Sequence, residues 1–192
     1  MKKLLLTAFE PFGGDTVNSG ERAVSALPDV IGEWEICRAV IPVVYGKAAL
    51  DAAERAEKIG ADAVLCIGQA GGRDAITPEM VAINLMHARI PDNDGNTPTD
   101  EPIDKDGPAA YFSTLPARKM AEAAEKTGAA ARVSYTAGTF VCNDIFYRLL
   151  RRFDGTGVKV GFVHVPLCRE QGEPFIETEK TAAALAAMIE VM

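Results

Sequence analysis

The chain has 192 residues, of which 48% are hydrophobic and 24% charged. That is enough apolar surface for one well-buried core and too little length to need two domains, so a single globular domain over 1–192 is expected. A net charge of -7 and a pI near 4.9 disfavour nucleic acid and other polyanionic partners.

In chain order, KKLLLTA (2–8) reads as a first buried strand. Its two lysines and three leucines begin like a secretory leader, but the apolar run meets Glu10 and Pro11 with no small-residue cleavage site. A cytoplasmic setting is therefore expected. NSGERAVSALP (18–28) reads as a helix capped by Asn18 or Ser19, and WEICRAVIPV (34–43) as the next strand. YGKAALDAAERAEKIG (45–60) and LPARKMAEAAEKTG (115–128) read as helices, each with a basic residue shortly before a glycine that can take the left-handed stop. AVLCIG (63–68), MVAINLMHA (80–88), ARVSYTA (131–137) and VKVGFVHVPL (158–167) read as strands. TFVCNDIFYRLLRRF (139–153) and the stretch from Pro174 to the C-terminus read as helices.

Strands alternating with helices in this way define an α/β fold, a three-layer α/β/α sandwich on a mostly parallel twisted sheet. The alternation breaks at 89–110, about twenty residues rich in Pro, Asp, Asn and Gly, a length that marks a candidate lid. No stretch approaches the length of a membrane span.

Cys37, Cys66, Cys142 and Cys168 form no CxxC pair, and only His87 and His164 are available as imidazoles. A disulfide framework or a structural metal centre is disfavoured, with a mixed His164, Cys168 and Cys142 set as the one open alternative. No cofactor is implied.

Cys142 stands out because Gly138 and Thr139 read as a helix entry, which places the thiol in the first turn. Unpaired amides and the positive end of the helix dipole favour a thiolate there. Cys142 could equally be a small core residue. Cys168 is the rival nucleophile, but Pro166 breaks any helix that could set it beside His164. His164 ends a strand at the carboxyl edge of the sheet, where ligand sites of open α/β folds collect, and could serve as the base or be satisfied by a backbone carbonyl. Glu79 lies where a loop enters the core and could fix the imidazole, or be an exposed strand-end carboxylate.

After the first strand, FEPFGG lacks both phosphate-loop glycine patterns, and Glu10 and Asp15 would repel an anion. Phe9 and Phe12 around Pro11 can instead wall a pocket for a small uncharged ring. GQAGGR (68–73) lets backbone amides approach a ligand closely.

Taken together, FEPFGG with Asn18, IGQAGGR, ITPEMVAIN, ARIPDN, SYTAGTFVCN and GFVHVPLCREQ resemble the pyroglutamyl peptidase (pyrrolidone-carboxylate peptidase) family of cysteine peptidases, in order and over almost the whole chain. The resemblance implies Cys142 as nucleophile, His164 as base and Glu79 as its acidic partner. It implies a lactam pocket lined by Phe9, Phe12, Ile90, Phe140 and Val141, backbone hydrogen bonds from Gln69, and oxyanion donors from Arg89 and the Cys142 amide. It also implies small peptide substrates with an N-terminal pyroglutamate, no cofactor, and a homo-oligomer, often a tetramer. One departure is His87, which stands where the family has an acidic residue in DARIPDN. Two other readings are a nucleoside phosphorylase-like transferase and a non-catalytic lactam-binding module.

Overall fold

The computed structural model describes residues 1–192. Four strands form the parallel centre of one sheet: β1 (Lys2–Phe9), β3 (Trp34–Ile41), β4 (Ala63–Gln69) and β8 (Lys159–Val165). Two short strands close its edges in the antiparallel sense, β2 (Val30–Ile31) on β3 and β5 (Thr77–Pro78) on β8, giving the order β2-β3-β1-β4-β8-β5. The central strands are buried on both faces, which is why they read as near-continuous apolar runs and not as alternating ones.

Helices cover both faces. Side chains of α1 (Ser19–Ser25), α3 (Ala117–Lys126) and α5 (Thr178–Glu190) join Leu4, Leu6, Leu65, Ile67, Val163 and Val165 in one core layer. Those of α2 (Lys47–Ile59) and α4 (Val141–Arg152) join Leu5, Val64, Cys66, Val160 and Phe162 in the other. Strand side chains point alternately to opposite faces, so the two sets interleave along each strand. Asn18 caps α1, its Oδ1 accepting from the amides of Gly20 at 2.9 Å and Glu21 at 3.3 Å. Gly60 ends α2 in the left-handed conformation at φ 65°, as its place after Lys58 predicts.

Two predicted strands change. The 80–88 stretch forms only the short β6 (Val81–Ile83), paired with β7 (Ala110–Phe112) in a separate two-stranded ribbon. Side chains end it: Asn143 takes both backbone groups of Ile83, and Asn84 turns to the backbone of Asp104. The 131–137 stretch lies alongside 76–80 and touches it through isolated parallel bridges at Ile76–Ala131 and Glu79–Ser134. Pro78 in the middle of that pairing has no N–H to give, so no continuous ladder forms. Helix α4 starts at Val141, two residues later than predicted, and α5 at Thr178, four later than Pro174.

The 89–110 stretch, read as a candidate lid, is pinned. Asp92 accepts from the amides of Tyr45, Asp94 and Asn96, and Asn93 donates to Glu10 Oε1 at 2.8 Å and to the Pro11 carbonyl at 3.1 Å. No helix is long and apolar enough to cross a membrane.

Candidate active site

Strand parity assembles the site. Val160 and Phe162 of β8 face the layer containing α2 and α4, so His164, two residues on, faces the same way. On neighbouring β4 the residue level with His164 is Gly68, on the same face as Val64 and Cys66. Gly68 has no side chain, and the space above it is taken by the Cys142 thiol: a Cβ built on Gly68 would lie 3.1 Å from Sγ. Helix α4 therefore delivers its second residue over the carboxyl end of β4, on the sheet face that also carries His164.

The imidazole is only 4% exposed, and its Nδ1 lies 2.7 Å from Glu79 Oε1. Glu79 itself is fully buried, directly after β5, its amide donating 2.8 Å to the Phe162 carbonyl. The alternative of an exposed strand-end carboxylate is thereby excluded. With Nδ1 donating to the carboxylate, Nε2 is the basic nitrogen left free. The same Oε1 accepts 2.7 Å from Nη1 of Arg73, whose Nη2 reaches the Thr136 carbonyl at 3.0 Å. Glu79 Oε2 has no partner. Arg73 closes the GGR turn and was not singled out in the sequence; the nearest signal was a lone arginine six residues before a carboxylate bound for the core.

The electrostatics correct one expectation. A first-turn position favours a thiolate, yet burial and the nearby Glu79 carboxylate push the Cys142 thiol up to about 12, outweighing the pull of Arg73 and of its own amide. Burial likewise lowers His164 below its ordinary value, against the raising effect of Glu79. Thiol and imidazole are thus both neutral at rest.

Around this centre, Phe12 and Phe140 are half-buried with ring centroids 6.2 Å apart, and Tyr45 stands edge-on to Phe140 at 5.5 Å. Phe9 and Val141 are buried in the core layer beneath them. Ile90 is exposed and reaches toward Gly13, with its Cδ1 3.7 Å from where a Cβ there would sit. Arg89 is exposed. The Gln69 side chain donates to Asp15 at 3.0 Å and accepts from the Ser19 amide at 3.0 Å and Gln171 at 2.8 Å, so it braces the loop after β1. His87 pairs with Asp100 at 2.9 Å on the surface.

The rival Cys168 is buried, its thiol donating 3.2 Å to Gln171 Oε1. No group of three or more His, Cys, Asp or Glu side chains is placed to hold a metal ion, so the mixed His164, Cys168 and Cys142 set does not form. An open groove of about 670 Å³ between α2 and α4 is lined by other residues.

A thiol and an imidazole oriented by a buried carboxylate, at the carboxyl edge of an α/β sheet, is the equipment of a cysteine-type hydrolase. Residues 2–192 match the family model described as pyroglutamyl peptidase, and the chain belongs to that family. It is 48% identical over 183 residues to a pyrrolidone-carboxylate peptidase of Streptococcus pyogenes serotype M4, covering 94% of this chain and 84% of the relative. Among solved structures it is similar to pyroglutamyl peptidase I of Bacillus amyloliquefaciens, with a TM-score of 0.95 at 42% identity, covering all of this chain and 96% of that one. It is also similar to the pyrrolidone carboxyl peptidase of Thermococcus litoralis, with a TM-score of 0.94 at 36% identity, covering all of this chain and 93% of that one.

Proposed function

We propose that this chain is a cysteine peptidase that hydrolyses the N-terminal pyroglutamyl residue from small peptides, with Cys142 as nucleophile, His164 as base and Glu79 as the group that orients it. The observation that carries the reading is the Cys142 thiol seated over Gly68, level with a His164 already bonded to a buried carboxylate.

Because thiol and imidazole are both neutral at rest, proton transfer accompanies attack. His164 Nε2 takes the thiol proton as sulfur adds to the pyroglutamyl carbonyl, and the imidazolium that forms is balanced by Glu79. The oxyanion is met by the Cys142 amide at the start of α4, with Arg89 as a second donor. Collapse of this intermediate breaks the C–N bond, His164 gives its proton to the departing amine, and a thioester remains. Water activated by the same imidazole then releases pyroglutamate and restores the thiol.

The lactam has no charged amine. Phe12, Phe140 and Ile90 as walls, with Phe9 and Val141 as the floor, suit such a ring, while the Gln69 backbone pairs with its amide. An acidic pocket of the kind that holds a free N-terminus is not needed. The proposal includes one catalytic domain, a cytoplasmic setting for four free thiols, and a homo-oligomer. Sedimentation equilibrium tests the last.

The test is release of a chromophoric amine from a pyroglutamyl amide. Cys142→Ser is expected to lose about a thousandfold or more in kcat. Undiminished turnover in that variant removes Cys142 from the reaction.

A further inference from the structure

We propose that Arg73 is a positioning residue of the triad: its guanidinium neutralises the buried Glu79 carboxylate, holds it on His164, and ties it to the backbone that leads into the nucleophile helix. The inference rests on the peptidase reading above and assigns a role to a residue outside it.

Glu79 has no contact with solvent, and a carboxylate in that position must be paired to remain charged. The neutral imidazole offers it a single N–H. Arg73 offers a full charge at 2.7 Å, on the same Oε1 that meets His164. Two further donors of the fork are also engaged. Nη1 donates to Thr77 Oγ1 in β5, and Nη2 donates 3.0 Å to the carbonyl of Thr136, six residues before Cys142. One planar group therefore joins the turn after β4, the strand that precedes Glu79, and the segment that enters α4. A lysine, with one charged nitrogen on a flexible stem, cannot reproduce that fork.

The charge has a second consequence. The charged groups that act on His164 are Glu79 after β5 and Arg73 in the turn after β4, and the same two act on the Cys142 thiol of α4 together with Cys66 of β4. Glu79 favours a proton on the imidazole and Arg73 opposes it, so Arg73 keeps the base unprotonated further into the acid range. It also pulls the Cys142 thiol down against Glu79. Removing the cation raises the affinity of the Glu79–His164 pair for a proton, whichever atom takes it.

The experiment compares wild type, R73Q and R73K by the pH dependence of kcat/KM on a pyroglutamyl chromophoric amide, and by NMR titration of the His164 ring. With two histidines in the chain, the H87N background leaves His164 as the only signal. R73Q is expected to lower kcat about tenfold or more with little change in KM, and to move the acid limb and the His164 titration up by about one pH unit. R73K is expected to keep the wild-type acid limb while losing part of kcat, because the charge stays and the fork does not. R73M, equally uncharged, is carried alongside in case R73Q does not fold.

A folded neutral variant with the wild-type limb and wild-type His164 titration overturns the proposal. So does an R73K protein whose limb moves as far as that of R73Q, the pattern of a packing defect and not of a lost charge. The NMR arm needs no turnover. A wild-type protein that leaves the amide uncleaved defeats the peptidase reading, while the His164 titration still decides the role of Arg73.

Discussion

Gly68 shows how much of this site depends on a missing side chain. A Cβ there would stand 2.7 Å from Cζ of Phe162 and 3.1 Å from the Cys142 sulfur. The Phe162 ring has little freedom to yield, because Phe9, Phe146 and His164 surround it at centroid distances of 6.4, 5.9 and 4.8 Å. Gly68→Ala is therefore expected to displace thiol and imidazole together and to lower kcat about a hundredfold, with a smaller change in KM. Steady-state kinetics on the pyroglutamyl amide check this, and wild-type kcat in the variant shows that the thiol has room to spare. The three principal side chains were legible in the sequence because each combined a reactive type with an informative neighbour: a helix entry for Cys142, a strand end for His164, a loop entering the core for Glu79. Gly68 and Arg73 were not legible as site residues, since their roles depend on cross-strand register and on a contact between loops. The direction of the Cys142 shift was missed for a related reason. A helix start is visible in one segment, whereas burial under the layer and a carboxylate from another strand are products of the whole fold.

At the scale of elements, Asn143 fixes the nucleophile helix to β6. Its fully buried side chain accepts from the Ile83 amide at 2.9 Å and donates to the carbonyls of Ile83 at 2.8 Å and Leu85 at 3.0 Å. Asn143→Ala strands these backbone groups, so unfolding free energy is expected to fall by about 2–4 kcal/mol. Because Cys142 is the adjacent residue, kcat should fall as well; urea denaturation and kinetics on one preparation read both effects, and unchanged stability shows that water replaces the amide without loss. The same contact explains why MVAINLMHA reads as a nine-residue strand and forms only three residues of one: a side chain on α4 occupies the ladder positions. Within the parallel centre, β1, β4 and β8 were legible because doubly buried strands carry their own apolar signal. The two-residue edge strands β2 and β5 carry none, and β5 includes a proline that argues against any strand.

Across the whole molecule, the buried ionisable groups define a window of pH in which the fold is most stable. His164 is held below its ordinary value of 6.5, so on acidification the unfolded chain gains a proton that the native chain resists. Its contribution is complete above the unfolded value and is lost as pH falls through 6.5 toward the native one. Asp144, raised by burial, has the opposite sign, but its window opens near 3.8, further into acid. On the alkaline side burial pushes both Cys66 and Cys142 from about 9 up to about 12, so the native chain keeps protons that the unfolded chain sheds, and stability falls as pH rises through that range. Each thiol behaving in this way contributes a slope of about 1.4 kcal/mol per pH unit. Urea midpoints measured under reducing conditions are expected to be flat between about pH 7 and 8.5 and to decline on either side. Cys66 lies in the core of β4 and takes no part in the proposed chemistry, so Cys66→Ala isolates the alkaline effect. That variant, though less stable at neutral pH from the space it leaves, should show a shallower decline above pH 9 than the wild type; an identical alkaline slope in the two proteins shows that the buried thiol of Cys66 is not its source.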